Sequence, residues 1–298
     1  MLRELLPGVY FSERTTVLEG EEYLFLVEPG YDVVVRGNKG ENSLEEFLSL
    51  AQKTQKEIHY ITFSHSHGDH TGNLPFYLKR ISFLKYLIGH TESPIFERLL
   101  EIRLIGKDQV LGIHEDRTLP LDGHEYRLLC TPGHSFHNDD MTVYCVDKKI
   151  LFVGDLAQPQ GLSYERGDGV SPVPFFYHGE DYLASLEKLL SIDFDLLITG
   201  HGEILDKTNG MKFLSVTHQT VKRIKELSLE MAEKHPGEFD ATLCEWVYDA
   251  VVEERNYDRG RAEHRKKRET SYYKSDYEEY DAPGIKFFVY QARHSSNG

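Results

Sequence analysis

The sequence predicts an α/β sandwich followed by a mainly helical C-terminal extension. Two observations predict it. Up to about residue 205, short β-branched and aromatic runs alternate with segments of helical periodicity. After His201-Gly202, long helical patterns follow one another with no strand between them. Antiparallel strands with interspersed helices suit a sandwich better than a regular series of parallel crossovers.

The elements follow in order. Val9–Phe11, Tyr23–Val27 and Asp32–Val35 read as strands, punctuated by Leu18-Glu19-Gly20 and Pro29-Gly30. Asn42–Thr54 reads as a helix, because Leu44, Phe47, Leu48 and Ala51 share a face and Asn42 or Ser43 can cap it. Ile58–Phe63 is rich in strand formers. Leu74–Lys79 and Ser93–Ile102 read as helices, and Gln109–Ile113, Glu125–Cys130, Met141–Cys145 and Ile150–Val153 as strands. Asp181–Leu190 carries Leu183, Leu186, Leu189 and Leu190 on one helical face, and Asp195–Ile198 reads as a strand. Phe213–Lys234 and Ala241–Glu254 are helical. The charged, tyrosine-rich stretch 257–279, with its basic run Arg259–Arg268, reads as a solvated helix face and a loop; Ile285–Tyr290 reads as a final strand or an anchor. The expected division is residues 1–207 and 208–298.

The 298 residues suffice for two average domains or one large one. Net charge is −15, from 34 Lys and Arg against 49 Asp and Glu, which argues against a general phosphate-binding role. No apolar run approaches the roughly 18 residues of a membrane-spanning helix. The N-terminal MLRELLPGVYF has no apolar signal core, and Cys130, Cys145 and Cys244 form no C-x-x-C motif. These features lead us to expect a cytoplasmic protein whose cysteines serve as small buried hydrophobes.

The chemistry concentrates in Ser64-His65-Ser66-His67-Gly68-Asp69-His70, directly after the Ile58–Phe63 strand. Imidazole and carboxylate are ligands of divalent transition metals. His65 and His67, two apart, can face one ion from an extended segment. Asp69 and His70 then point elsewhere, and a second ion is the natural target. Three later residues have the same character. His134 lies in Thr131-Pro132-Gly133-His134-Ser135, Asp155 ends Phe152-Val153-Gly154-Asp155, and His201 lies in Thr199-Gly200-His201-Gly202. Each stands beside a glycine where a strand runs out into a loop. Singly, each is an ordinary loop histidine or turn aspartate; together they form a set.

This set resembles the metallo-β-lactamase superfamily, over roughly residues 8–205. The signature H-x-H-x-D-H is intact from His65 to His70, and all seven ligand positions are filled. The resemblance implies an αββα sandwich with its site at one edge between two sheets. It implies His65, His67 and His134 on a first metal, Asp69, His70 and His201 on a second, and Asp155 bridging both. Two divalent metal ions follow, zinc first, with iron or manganese as alternatives. The flavo-diiron members carry Glu where this chain has His67, which argues against an oxygen or nitric oxide reductase. Family members often carry Asp where this chain has Glu28, so Glu28 is expected to substitute with a longer reach.

The implied reaction is hydrolysis by a metal-bridging hydroxide, with Asp69 also orienting it or shuttling its proton. His137 reads as a surface histidine, with a leaving-group acid as the sharper alternative. The forms around His134 and His201 resemble glyoxalase II-like members, and 176–189 resembles the thioesterase of the alkylquinolone-response group, whose helical extension folds over the metal site. A small ester or thioester is therefore the first expected substrate. The loop 156–178, with Tyr164, Pro172, Pro174, Phe175, Phe176 and Tyr177, is either a wall for an acyl chain or a loop pinned by its own aromatics. Two other readings remain open: a phosphodiesterase or ribonuclease using the basic run, since the motif also resembles ribonuclease Z, and a metal-containing regulatory or interaction protein. The expected partner is a small molecule rather than a membrane or nucleic acid, and a homodimer is compatible with the sequence.

Overall fold

The computed structural model describes residues 2–12, 14–28, 39–81, 86–90, 93–158, 171–267 and 274–294. It divides into two compact units: residues 1–155 with 193–210, and 156–192 with 211–298. The expected strand Asp32–Val35, together with Tyr164 and Arg268, lies outside the described residues.

The first unit holds two sheets. One has seven strands in sequence order: β1 (Arg3–Leu6), β2 (Val9–Ser12), β3 (Thr15–Glu19), β4 (Tyr23–Val27), β5 (Glu57–Thr62), β6 (Tyr86–His90) and β7 (Val110–Ile113). Its first four strands pair antiparallel, but β4 to β7 pair parallel, so this sheet is more mixed than the antiparallel reading expected. Helices make the parallel crossovers: α1 (Lys39–Thr54), α2 (Gly68–Thr71), α3 (Leu74–Arg80) and α4 (Pro94–Glu101). The second sheet runs β13-β12-β11-β10-β9-β8, from β8 (Arg117–Leu121), β9 (His124–Cys130), β10 (Met141–Cys145), β11 (Ile150–Gly154), β12 (Leu196–Thr199) and β13 (Ile204–Asp206).

Strand periodicity sorts the core into layers. Along β4, Leu24 and Leu26 join a cluster with Leu44 and Phe47 of α1, Tyr77 of α3 and Leu99 of α4. Phe25 and Val27, on the alternate face, join Tyr126, Leu128, Val143, Ile150 and Phe152 of the second sheet. Both faces of the first sheet are thus buried, one under helices and one under the other sheet. Near the end of β5 the sheets are also joined through main chain: the Met141 amide donates to the Ser64 carbonyl over 2.7 Å.

The second unit contains α5 (Gly179–Leu190), most of α6 (Lys207–Lys234), α7 (Asp240–Glu254), α8 (Arg259–Lys267) and α9 (Ala282–His294). The Ile285–Tyr290 run, expected as a strand or anchor, lies inside α9. Ile285, Phe288 and Val289 are buried at helical spacing, so the tertiary contacts override a β-rich composition. Phe176 is fully buried, stacked on Tyr182 with centroids 5.2 Å apart, and lies against Phe288, so it serves as packing within its own unit. Arg265 of the basic run is also buried. Its guanidinium grips Asp281 in two hydrogen bonds, 2.7 and 2.9 Å long, and Asp281 also accepts from Ser171. Elsewhere along the run, Lys266 pairs with Asp249 at 2.8 Å and Arg259 with Glu253 at 3.4 Å. No helix among the described residues is long and apolar enough to cross a membrane.

Candidate metal centre

The seven expected residues meet at one place in the first unit. β5 delivers Ser64 and His65, and the chain then turns through His67 into the single-turn helix α2, which carries Asp69 and His70. His134 comes from the loop between β9 and β10, Asp155 follows β11, and His201 follows β12. Sites of this kind collect where strands run out into loops on a rigid base.

The geometry falls into two groups. His65 Nε2 and His67 Nδ1 are 2.8 Å apart, and His134 Nε2 is 3.3 Å from His67 Nδ1. The second group is Asp69, His70 and His201, with Asp69 Oδ2 3.5 Å from His70 Nε2 and 3.8 Å from His201 Nε2. In each group the nitrogen and oxygen atoms that could ligate an ion lie within 4.8 Å of one another. Asp155 touches both. Its Oδ2 is 2.9 Å from His201 Nε2 and 3.7 Å from His134 Nε2, while Oδ1 is 3.5 Å from His70 Nε2.

Outer contacts orient these rings. His65 Nδ1 meets the Ser64 hydroxyl at 2.8 Å. His70 Nδ1 donates to Glu28 Oε2 over 2.7 Å, and Glu28 Oε1 accepts the Ser64 amide at 2.6 Å. Glu28 is buried just beyond β4, and its side chain reaches His70. With Nδ1 held by Glu28, Nε2 is the nitrogen that faces Asp69 and Asp155. Two glycines make room. A Cβ on Gly200 would lie 2.5 Å from His70 Cε1 and 2.7 Å from Asp155 Oδ1. Gly154 has φ of +53°, and a Cβ there would meet Ser64 at 2.4 Å.

The donor set fits divalent cations. Burial, helped by the neighbouring imidazoles, holds His65 well below the usual histidine range, and burial also lowers His67, so both present neutral nitrogens. Burial opposes charge on Asp155, but His201 and His70 overcome it and hold its carboxyl well below the carboxylate range. Burial likewise disfavours protonated His70, yet Asp69, Asp155 and Glu28 raise it well above the ordinary value. His70 Nε2 is buried with no hydrogen-bond partner among the described residues, which is costly unless a cation meets it.

Other expectations resolve here. His137 is exposed beside Phe136, as a surface histidine would be. Burial pushes the Cys145 and Cys244 thiols up to about 12, in keeping with packing residues. A further trio, His124, Cys145 and Asp147, lies close enough for a cation. Its imidazole is already engaged, however, by Asp147 at 2.5 Å and the Glu19 carbonyl at 3.1 Å. Two features were missed by the sequence reading. Arg14, only 7% exposed, places a guanidinium nitrogen 3.4 Å from Asp69 Oδ2. Buried Asp139 and Asp140 receive the Ser135 hydroxyl, and Asp140 also receives the Ser135 amide, so they hold the loop that carries His134. Their pattern near Ser135 was visible in sequence; nothing in sequence tied Arg14 to Asp69.

Two stacked mixed sheets with this histidine-aspartate cluster at the strand ends define a class of protein. The profile of the metallo-beta-lactamase superfamily matches residues 11–201, and the chain belongs to that superfamily. Its mixed α/β architecture with two sheets and C-terminal helices is the one the resemblance implied. The chain is 23% identical to the Beta-lactamase-like protein 2 homolog of Caenorhabditis elegans, over 70% of this chain and 65% of that protein. It is 25% identical to an atrochrysone carboxyl ACP thioesterase of Pseudocercospora fijiensis, over 77% of this chain and 63% of the relative. It therefore spans just under two thirds of either relative. Among solved structures, the sec-alkylsulfatase Pisa1 from Pseudomonas sp. aligns with 99% of this chain and 51% of its own length, with a TM-score of 0.62 and 15% identity.

Proposed function

We propose that the chain is a dinuclear metal-dependent hydrolase acting on a small ester or thioester. The observation that carries this reading is the pair of three-residue groups with Asp155 in reach of both. His65, His67 and His134 would hold one cation, Asp69, His70 and His201 the other, and Asp155 would join them. Zinc suits the three-imidazole group, and the carboxylate-containing group is equally open to iron or manganese. Two cations bound there would lower the pKa of a shared water and polarise a scissile carbonyl.

The protein's own groups do the rest. Asp69 has a 39% exposed side chain, against 1% for His70 and 3% for Asp155. It is thus the carboxylate best placed to orient an incoming water and relay its proton. Glu28 keeps His70 in one tautomer, and Ser64 steadies His65. The thioesterase name of one relative supports a thioester over a phosphodiester. So does the basic run, in which Arg259, Arg265 and Lys266 are paired with Glu253, Asp281 and Asp249.

The test is elemental analysis with a substrate panel of p-nitrophenyl esters, an acyl thioester and bis-p-nitrophenyl phosphate. We expect two ions per chain and ester or thioester turnover that disappears in a folded His67→Ala variant. Turnover of the phosphodiester alone would overturn the ester reading. Asp155→Ala should lose one or both ions, and full occupancy in that variant would overturn the bridging role.

A further inference from the structure

We propose that Arg14 fixes the Asp69 carboxylate and thereby sets how tightly the Asp69–His70–His201 group holds its cation. This rests on the dinuclear reading above. Other members of the cluster are braced from outside: His65 by the Ser64 hydroxyl at 2.8 Å, and His70 by Glu28 at 2.7 Å. Asp69 has a weaker setting. It stands in the four-residue helix α2, and its side chain is 39% exposed. Among the described residues, the contact that reaches it from outside the cluster comes from Arg14, whose Nη1 is 3.4 Å from Oδ2. That oxygen is also the one facing His70 and His201.

Arg14 is well placed for this role. It immediately precedes β3, whose first residue Thr15 pairs with Ser12 of β2, so a sheet ladder anchors its backbone. Its side chain is only 8% exposed. Asp69 helps offset the cost of burying that guanidinium, and the contact constrains the carboxylate in return. The contact spans 55 residues of chain and ties the β2–β3 hairpin to the α2 turn. Arg14 acts through Asp69 and is therefore a positioning residue. Groups that brace a metal ligand typically account for about 10–100-fold in metal affinity.

The experiment is a chelator-competition titration of metal-free protein with Zn²⁺, comparing wild type, Arg14→Met and Arg14→Lys, with circular dichroism as a check on folding. In wild type we expect two ions. In Arg14→Met we expect the first to bind unchanged and the second to bind about 10–100-fold more weakly. Arg14→Lys, which keeps the buried charge without the planar fork, should weaken only the second ion and by a smaller factor; it carries the test should Arg14→Met not fold. Equal weakening of both ions would indicate general structural damage and overturn the assignment. Wild-type affinity at both positions in the variants would overturn the Arg14 assignment alone. Fewer than two ions in wild type would overturn the dinuclear reading and this one with it.

Discussion

Glu28 offers the sharpest quantitative test of the centre. Both its oxygens are engaged: Oε2 accepts from His70 Nδ1 at 2.7 Å and Oε1 from the Ser64 amide at 2.6 Å. Glu28→Asp removes one methylene, roughly 1.5 Å of reach. With the backbone fixed, the contact to His70 opens to about 4 Å, past hydrogen-bonding distance. Glu28 sits at φ of +57°, a region that aspartate tolerates, so the exchange adds little backbone strain. A hydrogen bond to a charged group contributes about 1.5–3 kcal/mol. At about 1.4 kcal/mol per tenfold, this amounts to at least tenfold in affinity for an ion held by His70, within the 10–100-fold range for such bracing groups. Glu28→Gln keeps the reach but supplies one acceptor for two donors, so it too should weaken binding. Chelator competition with Zn²⁺ reads both. If Glu28→Asp binds within twofold of wild type, the carboxylate does not set the His70 tautomer and the reasoning fails.

Three further predictions concern packing and charge. Arg265→Met should destabilise the protein by about 3–5 kcal/mol by leaving Asp281 buried without its cation, and Arg265→Met with Asp281→Leu should recover most of that; urea unfolding decides, and a loss under about 1 kcal/mol for the single variant refutes it. Gly200→Ala should abolish tight Zn²⁺ binding while leaving the far-ultraviolet circular dichroism unchanged, because the added carbon would occupy space held by His70 and Asp155; retained affinity would show that the loop yields. Asp140 is pushed up to about 8 by burial, despite the hydrogen bonds from Ser135 that favour its charged form. The folded state therefore binds a proton that the unfolded state has released. The stability this gives is complete below about pH 4 and declines as pH rises toward 8. Asp140→Asn should flatten that decline, so the urea midpoints of wild type and variant should diverge in favour of the variant between pH 5 and 8. Parallel pH profiles would remove Asp140 from the account.

The histidine-aspartate cluster was legible because its chemistry is local: four residues within six positions, and three more beside glycines at strand ends. The helices were legible for a similar reason, since α1 and α5 show their apolar faces at helical spacing. Strands without a distinctive pattern were not. Among those passed over, β8 (Arg117–Leu121) contains a proline and alternates weakly, while β1 and β13 are short edge strands whose identity depends on the neighbour they pair with. Ile285–Tyr290 misled because β-branched and aromatic residues suit a strand as well as a buried helix face, and only packing decides between them. The roles of Arg14, Arg265 and Asp281 arise from charges brought together across the fold, and no local spacing announces such pairs.

The amide of Met141 and the carbonyl of Ser64 belong to the peptide backbone, which side-chain exchange leaves in place. The clasp between the two sheets beside the histidines is therefore insulated from nearly every point substitution, proline at 141 being the obvious exception. Side chains around the cluster can then change without loosening the floor beneath them.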